Sequence, residues 1–78
     1  MTAHDILPLN MLQAGARADV VDVVGLPEQV RRVQELGIHT GVRIDMLQGG
    51  SPCICRLGNQ TLCLRGNELL NVLVRLVG

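Results

Sequence analysis

The 78-residue sequence contains no phenylalanine, tyrosine or tryptophan. Aromatic rings supply much of the contact area in most protein cores, and they are the platforms on which single-stranded nucleic acids stack. The core must therefore be built from valine, leucine, isoleucine and methionine. Lysine is also absent, because all seven basic residues are arginines. This excludes a phosphate-binding loop of the Walker type, which requires a lysine.

The chain has no excess of either charge, since seven acidic residues balance the seven arginines. Nucleic-acid binding proteins usually carry a basic excess, so no nucleic-acid partner is expected. No apolar run approaches the roughly 20 residues that span a bilayer. The N-terminal segment contains Asp5 and no lysine or arginine, unlike a secretory signal. We expect a cytoplasmic protein without direct membrane insertion.

The composition, with 47% hydrophobic and 18% charged residues, is that of a folded domain. We expect residues 1–78 to form a single domain, with residues 1–5 as a loose N-terminus. A chain of this length buries roughly 60% of its surface, which allows one small core and no deep cleft. No paired catalytic carboxylates and no nucleophile motif occur, so the sequence does not predict an enzyme.

The first half of the chain predicts one strand and one helix. Residues 6–12 contain a proline and read as an extended or turn-like lead-in. Residues 17–24 are rich in valine and predict a strand, in which Asp22 marks a bulge or an edge. Pro27 favours the first position of a helix. Gly37 is placed to end that helix in a left-handed turn.

The second half predicts four more strands and one helical turn. These are a strand at 42–46, a hairpin of 53–57 and 61–65, a helical turn at 67–70 and a last strand at 71–77, in which Val72, Val74 and Leu76 share a face. Short strands with a single inserted helix favour a strongly bent sheet. The fold class is therefore mainly β: a small barrel of about five strands with one short helix.

The candidate metal ligands of the sequence are the three cysteines, Cys53, Cys55 and Cys63, together with His39. In a strand, a one-residue gap sends the thiols of Cys53 and Cys55 to the same face, whereas structural zinc sites usually show longer gaps in turns. A two-residue hairpin turn directs Cys63 to the other face, while a three-residue loop brings it opposite Cys55. We favour the two-residue turn, with core packing for the inner cysteines. No cofactor is expected, and adventitious binding of a divalent metal is the alternative.

Residues 32–42, which read Arg-Val-Gln-Glu-Leu-Gly-Ile-His-Thr-Gly-Val, resemble the Arg-Leu-x-Glu-Leu-Gly-x-x-Pro-Gly segment of the ferrous iron transport protein A (FeoA) family. Gly50-Ser51-Pro52 is similar to that family's Gly-Asp-Pro loop, and residues 62–65 to its Leu-x-Leu-Arg strand. Thr40 and Ser51 replace a proline and an aspartate of the pattern. The residues that carry the resemblance are Leu36, Gly37, Gly41, Pro52, Leu64 and Arg65.

The resemblance implies an SH3-like barrel in the cytoplasm, with no established catalytic activity. Its implied partner is the cytoplasmic GTP-binding domain of ferrous iron transporter B. Two alternatives stay open. One is a stand-alone regulatory module related to the C-terminal domain of iron-dependent repressors, and the other is a thiol-based metal-binding protein.

A barrel without catalytic residues must act through an exposed patch, and such patches combine an apolar centre with a polar rim that often contains arginine. The outer face of the hairpin offers this combination, and we expect it to bind the transporter or a second copy of the chain. The candidate partner-binding residues are Leu47, Ile54, Arg56 and Cys63 around the hairpin, with Arg31 and Arg32 on the helix.

The two helix arginines have a second interpretation. Glu28 lies four residues before Arg32, and Glu35 lies four residues after Arg31, which is the spacing of ion pairs on one helix face. We favour such pairs over an arginine finger that stabilises phosphoryl transfer in a partner, because only the residue type supports the latter.

Overall fold

The computed structural model describes residues 6–50, 52–65 and 71–77. It confirms a mainly β architecture with one α-helix. The described residues form six strands rather than five, because the lead-in contains a short strand. The elements are β1 (Ile6–Pro8), a 3₁₀ turn (Leu9–Met11), β2 (Arg17–Val23), α1 (Pro27–Glu35), β3 (Arg43–Gln48), β4 (Cys53–Leu57), β5 (Gln60–Leu64) and β6 (Val72–Leu76).

All six strands belong to one antiparallel sheet in the order β1-β6-β2-β3-β4-β5. The additional strand, β1, pairs with β6 from the far end of the chain. Local sequence could not predict it, because a three-residue strand is held by a partner that is remote along the chain. The register of β2 against β6 shifts between Val20 and Asp22, which confirms the bulge predicted at Asp22.

The core consists of the inward-facing residues of the strands, with Leu9 and Leu12 at the 3₁₀ turn, Val33 from α1 and Ile38 after it. Of the three residues predicted to share a face of β6, Val72 and Val74 are fully buried, whereas Leu76 is 44% exposed. Its register partner Ala18 is fully buried. Leu76 is nevertheless exposed because it occupies the last position of β6, where the core ends.

The helix begins and ends as the sequence predicts. Pro27 is its first residue, and the N–H of Leu26 donates to Gln29 Oε1 at 3.0 Å. Gly37 follows the C-terminus with a φ of +100°, a region that favours glycine, and its N–H donates to the Gln34 carbonyl at 2.9 Å. Gly41 also has a positive φ, of +94°. The two glycines together reverse the chain between α1 and β3.

The ion pairs predicted on the helix are wrong. Neither Glu28 with Arg32 nor Arg31 with Glu35 comes within 4 Å, and the ion pairs of the described residues instead join β2 to β3. Cross-strand neighbours are held at fixed distance by the backbone ladder, whereas exposed helix pairs gain too little to hold two long side chains together.

The predicted helical turn at 67–70 and the predicted loose terminus at 1–5 lie outside the described residues. Within the described part of the chain, no helix combines the length and the apolar character needed to cross a membrane.

Candidate partner-binding surface

An open depression of about 600 Å³ lies at the end of the sheet where β2 begins and where β3 and β6 end. Main-chain hydrogen bonds join two of the segments that line it. The Gly15 N–H donates to the Met46 carbonyl, and the Met46 N–H donates to the Ala16 carbonyl, both at 2.8 Å. The residues that line it are Gly15, Ala16, Arg17, Asp45, Met46, Leu47, Arg56, Leu76 and Val77.

Asp45 lies between two arginines of the depression but forms an ion pair with only one of them. Asp45 on β3 lies in register with Arg17 on β2 and with Arg56 on β4. Arg17 Nε donates to Asp45 Oδ1 at 2.8 Å. Arg56 forms no ion pair within 4 Å of any acidic residue in the described ranges. The charge of the Arg56 guanidinium is therefore not matched by a contacting carboxylate of the described chain.

The apolar part of the depression comes from Leu47, Leu76 and Val77, which are 45%, 44% and 36% exposed. Leu47 lies at a shift in register between β3 and β4, since Met46 pairs with Cys55 and Gln48 with Ile54. This bulge leaves Leu47 without a cross-strand partner on β4. The depression thus combines exposed aliphatic side chains with two guanidinium groups.

A second charged row crosses the same sheet. Asp19 on β2 lies in register with Arg43 on β3 and Arg75 on β6. Arg43 Nε and Nη2 donate to the Asp19 carboxylate at 2.8 and 3.3 Å. Hydrogen bonding to Arg43 holds the pKa of Asp19 below its usual value, and the charges of Arg43 and Arg75 act in the same direction. The same contact raises the pKa of Arg43.

The two rows together contain four arginines and two aspartates. The chain as a whole is neutral, but this part of the sheet is locally basic. A surface with this charge distribution favours contact with acidic groups.

The structure separates the predicted partner-binding residues into three places. Leu47 and Arg56 line the depression. Ile54 and Cys63 face each other in the neighbouring row of the hairpin and do not line it; Ile54 is half-buried and Cys63 is exposed.

Arg31 and Arg32 occupy the third place. Both are exposed on α1, and neither lines the depression. The geometry therefore brings together Leu47 and Arg56 and gives no contact that joins them to the helix arginines.

Seven of the nine lining residues were not predicted from the sequence. Among them, Arg17 and Asp45 carry charge, and Leu76 and Val77 are exposed apolar residues. The alternation of β3 already places Asp45 on the face opposite to Ile44 and Met46. Its proximity to Arg17 depends on the pairing of two strands separated by a helix, for which the local sequence contains no signal.

The cysteines do not converge on one point. Leu57 pairs with Gln60 across a two-residue turn, which confirms the predicted hairpin parity. Cys53 and Cys55 are buried and Cys63 is exposed. Burial raises the pKa of the Cys55 thiol to about 12 and also raises that of Cys53.

No group of three or more metal-ligating side chains occurs within residues 6–50, 52–65 and 71–77. His39 is exposed in the turn after α1. Cys53 and Cys55 are buried within the hydrophobic core, where a free cysteine packs as a small hydrophobic residue.

The residues that carry the family resemblance occupy structural positions. Leu36 is partly buried against the core, and Leu64 is fully buried on β5. Gly37 supplies the left-handed conformation after α1. Pro52 and Arg65 are exposed at the open end of the hairpin, where the chain enters β4 and leaves β5.

Solved structures with the same fold include FeoA proteins. A FeoA-like protein from Clostridium acetobutylicum superposes with a TM-score of 0.86 at 25% identity, covering 100% of this chain and 92% of its own. FeoA from Stenotrophomonas maltophilia was solved with zinc and described as a prokaryotic SH3 domain protein, with a suggested role as a ferrous iron transport activating factor. It superposes with a TM-score of 0.77 at 29% identity, covering 87% of this chain and 88% of its own.

A manganese-dependent transcriptional repressor contains the same barrel, with a TM-score of 0.85. The identity is 16%, and the match covers 92% of this chain and 41% of the repressor, so the likeness concerns the fold alone.

No curated protein matches the sequence significantly. The sequence profile of the FeoA domain matches residues 7–76, which include the helix and every described strand except the first residue of β1. With that match and the SH3-like fold shared with solved FeoA proteins, the chain belongs to the FeoA family, whose members are small accessory domains of ferrous iron transport.

Proposed function

We propose that this chain is a cytoplasmic accessory protein of ferrous iron uptake that binds the cytoplasmic GTP-binding domain of ferrous iron transporter B. The observation that carries the proposal is the FeoA domain match over residues 7–76, nearly the whole sequence. An accessory domain of this kind acts through its surface.

The depression at the end of the sheet supports action by contact. Leu47, Leu76 and Val77 provide an exposed apolar centre, and Arg17 and Arg56 border it. Interfaces are built in this way, with apolar residues at the centre and arginine favoured over lysine. The chain accordingly acts by binding rather than by catalysis.

The alternative functions receive less support. The manganese-dependent repressor shares only the barrel, at 16% identity, and this does not favour a regulatory module. A thiol-based metal carrier requires accessible thiolates, whereas Cys53 and Cys55 are buried in the core. If the carrier alternative applied, the reduced protein would hold stoichiometric zinc or iron and would lose it when either cysteine is replaced.

The proposal is tested with the purified GTP-binding domain of the transporter, immobilised in its GDP state or with a non-hydrolysable GTP analogue. We expect saturable binding of the wild-type chain in at least one nucleotide state. Circular dichroism establishes that both proteins are folded. Absence of binding in both states, with both proteins folded, would contradict the proposal.

A further inference from the structure

The SH3-like barrel of this chain cannot recognise ligands in the way that proline-rich peptides are recognised. That mode docks a polyproline helix into a groove lined with aromatic side chains. The sequence contains no phenylalanine, tyrosine or tryptophan. A peptide ligand must therefore be bound by non-aromatic side chains, and the side chains that line the depression are candidates for this role.

The depression offers guanidinium groups beside aliphatic side chains. Arg56 has no carboxylate within 4 Å among the described residues, and Arg17 contacts Asp45 through its Nε alone. Guanidinium groups bind carboxylates through paired, charge-assisted hydrogen bonds. Leu47 and Leu76 stand exposed next to these groups and lose contact with water when an aliphatic side chain covers them.

We propose that this depression binds an acidic segment of a partner protein in which aliphatic residues alternate with carboxylates. The carboxylates pair with Arg56 and Arg17, and the aliphatic side chains cover Leu47, Leu76 and Val77. The inference deepens the proposed function and rests on it, because it gives the chemistry of the transporter segment that the chain recognises.

A second copy of the chain fits the depression less well. Asp19 and Asp45 already lie between arginines of the sheet. The exposed acids of α1, Glu28 and Glu35, are interspersed with Arg31 and Arg32, so the helix presents no acidic face. Charge complementarity therefore favours a partner of different composition.

The test uses the full chain labelled with ¹⁵N and a short capped peptide of alternating glutamate and leucine. We expect amide shifts confined to the residues that line the depression, and affinity that falls as salt is added. A matched peptide with lysine in place of glutamate should bind at least about tenfold more weakly, since like charges would meet at the arginines. A peptide with serine in place of leucine should also bind more weakly.

The variants Arg56→Glu and Leu47→Ser should each weaken peptide binding, by about tenfold or more for the charge reversal. Arg65→Glu is the matched control, since Arg65 is an exposed arginine outside the depression, and it should bind as the wild type does. Equal binding of the lysine peptide, shifts confined to another surface, or a self-associated chain whose depression is covered by a second copy would each overturn the inference.

The same variants, assayed on the transporter domain, separate the two proposals. If that domain binds the wild-type chain and Arg56→Glu equally well, the docking chemistry is wrong and the proposed function stands. If the glutamate–leucine peptide binds at the depression while the transporter domain does not bind at all, the proposed partner is wrong and the acidic recognition stands.

Discussion

Ile54 on β4 lies directly opposite Cys63 on β5, and both side chains point away from the core that holds Cys53 and Cys55. On the outer surface of the hairpin, the half-buried side chain of Ile54 therefore lies next to the exposed thiol of Cys63. The inner surface pairs Cys53 with Leu64 and Cys55 with Leu62.

An aspartate introduced at adjacent positions of β4 should destabilise the fold to very different extents. Ile54→Asp should remain folded, with a loss of about 1 kcal/mol for the apolar contact removed. Cys55→Asp should abolish folding or cost more than about 3 kcal/mol, because it places a carboxylate where the side chain is fully buried. Circular dichroism and urea denaturation measure both effects. An unfolded Ile54→Asp together with a folded Cys55→Asp would show that the hairpin faces are reversed.

Thiol alkylation should distinguish Cys63 from the other two cysteines. Iodoacetamide at mildly alkaline pH should modify the exposed Cys63 in the native protein. Cys53 and Cys55 should react only after unfolding, because their thiolates are disfavoured by burial, which raises the pKa of Cys55 to about 12. Mass spectrometry of native and urea-unfolded samples counts the modified thiols. Rapid native alkylation of Cys55 would contradict its place in the core.

Gly37→Val should cost about 1–3 kcal/mol, because a β-branched residue is strained at a φ of +100°. Space is not the cause, since a Cβ at this position would approach only Gln60 Oε1, at 3.9 Å. Gly37→Asn is the matched control and should cost less, because asparagine tolerates positive φ better than valine. The measurement is thermal or urea unfolding. Equal stability of the wild type and Gly37→Val would show that the turn adopts another conformation.

The contribution of Asp19 to stability should depend on pH. Because the folded-state pKa of Asp19 lies below the ordinary value of 3.8, its ionised form is favoured in the native state. The stabilisation is present above that value and is lost as the pH falls through the lower, folded-state pKa. Asp19→Asn should therefore be slightly less stable than the wild type at neutral pH and equally stable in strong acid.

This difference should also shrink in high salt, because both partners of the pair are substantially exposed. A double-mutant cycle with Arg43→Gln isolates the interaction. A coupling that persists unchanged in strong acid would show that it does not depend on the Asp19 charge.

Features governed by neighbours along the chain could be predicted from the sequence. The helix start at Pro27 and the turn at Gly37 follow from the fixed φ of proline and the conformational freedom of glycine. Strand alternation with a two-residue turn placed Cys55 inside and Cys63 outside. The family resemblance likewise rests on short motifs, and the FeoA domain match confirms it.

Features that join distant parts of the chain were decided by the tertiary structure. β1 exists because β6 pairs with it, and the ion pairs formed between β2 and β3 instead of along α1. The depression likewise needs Arg17, Asp45, Arg56 and Leu76, which come from four different strands. Composition and alternation determined which residues face inward, because the apolar residues must leave water. Which outward residues meet was decided by strand order and register, since these fix the distances between side chains that the sequence separates.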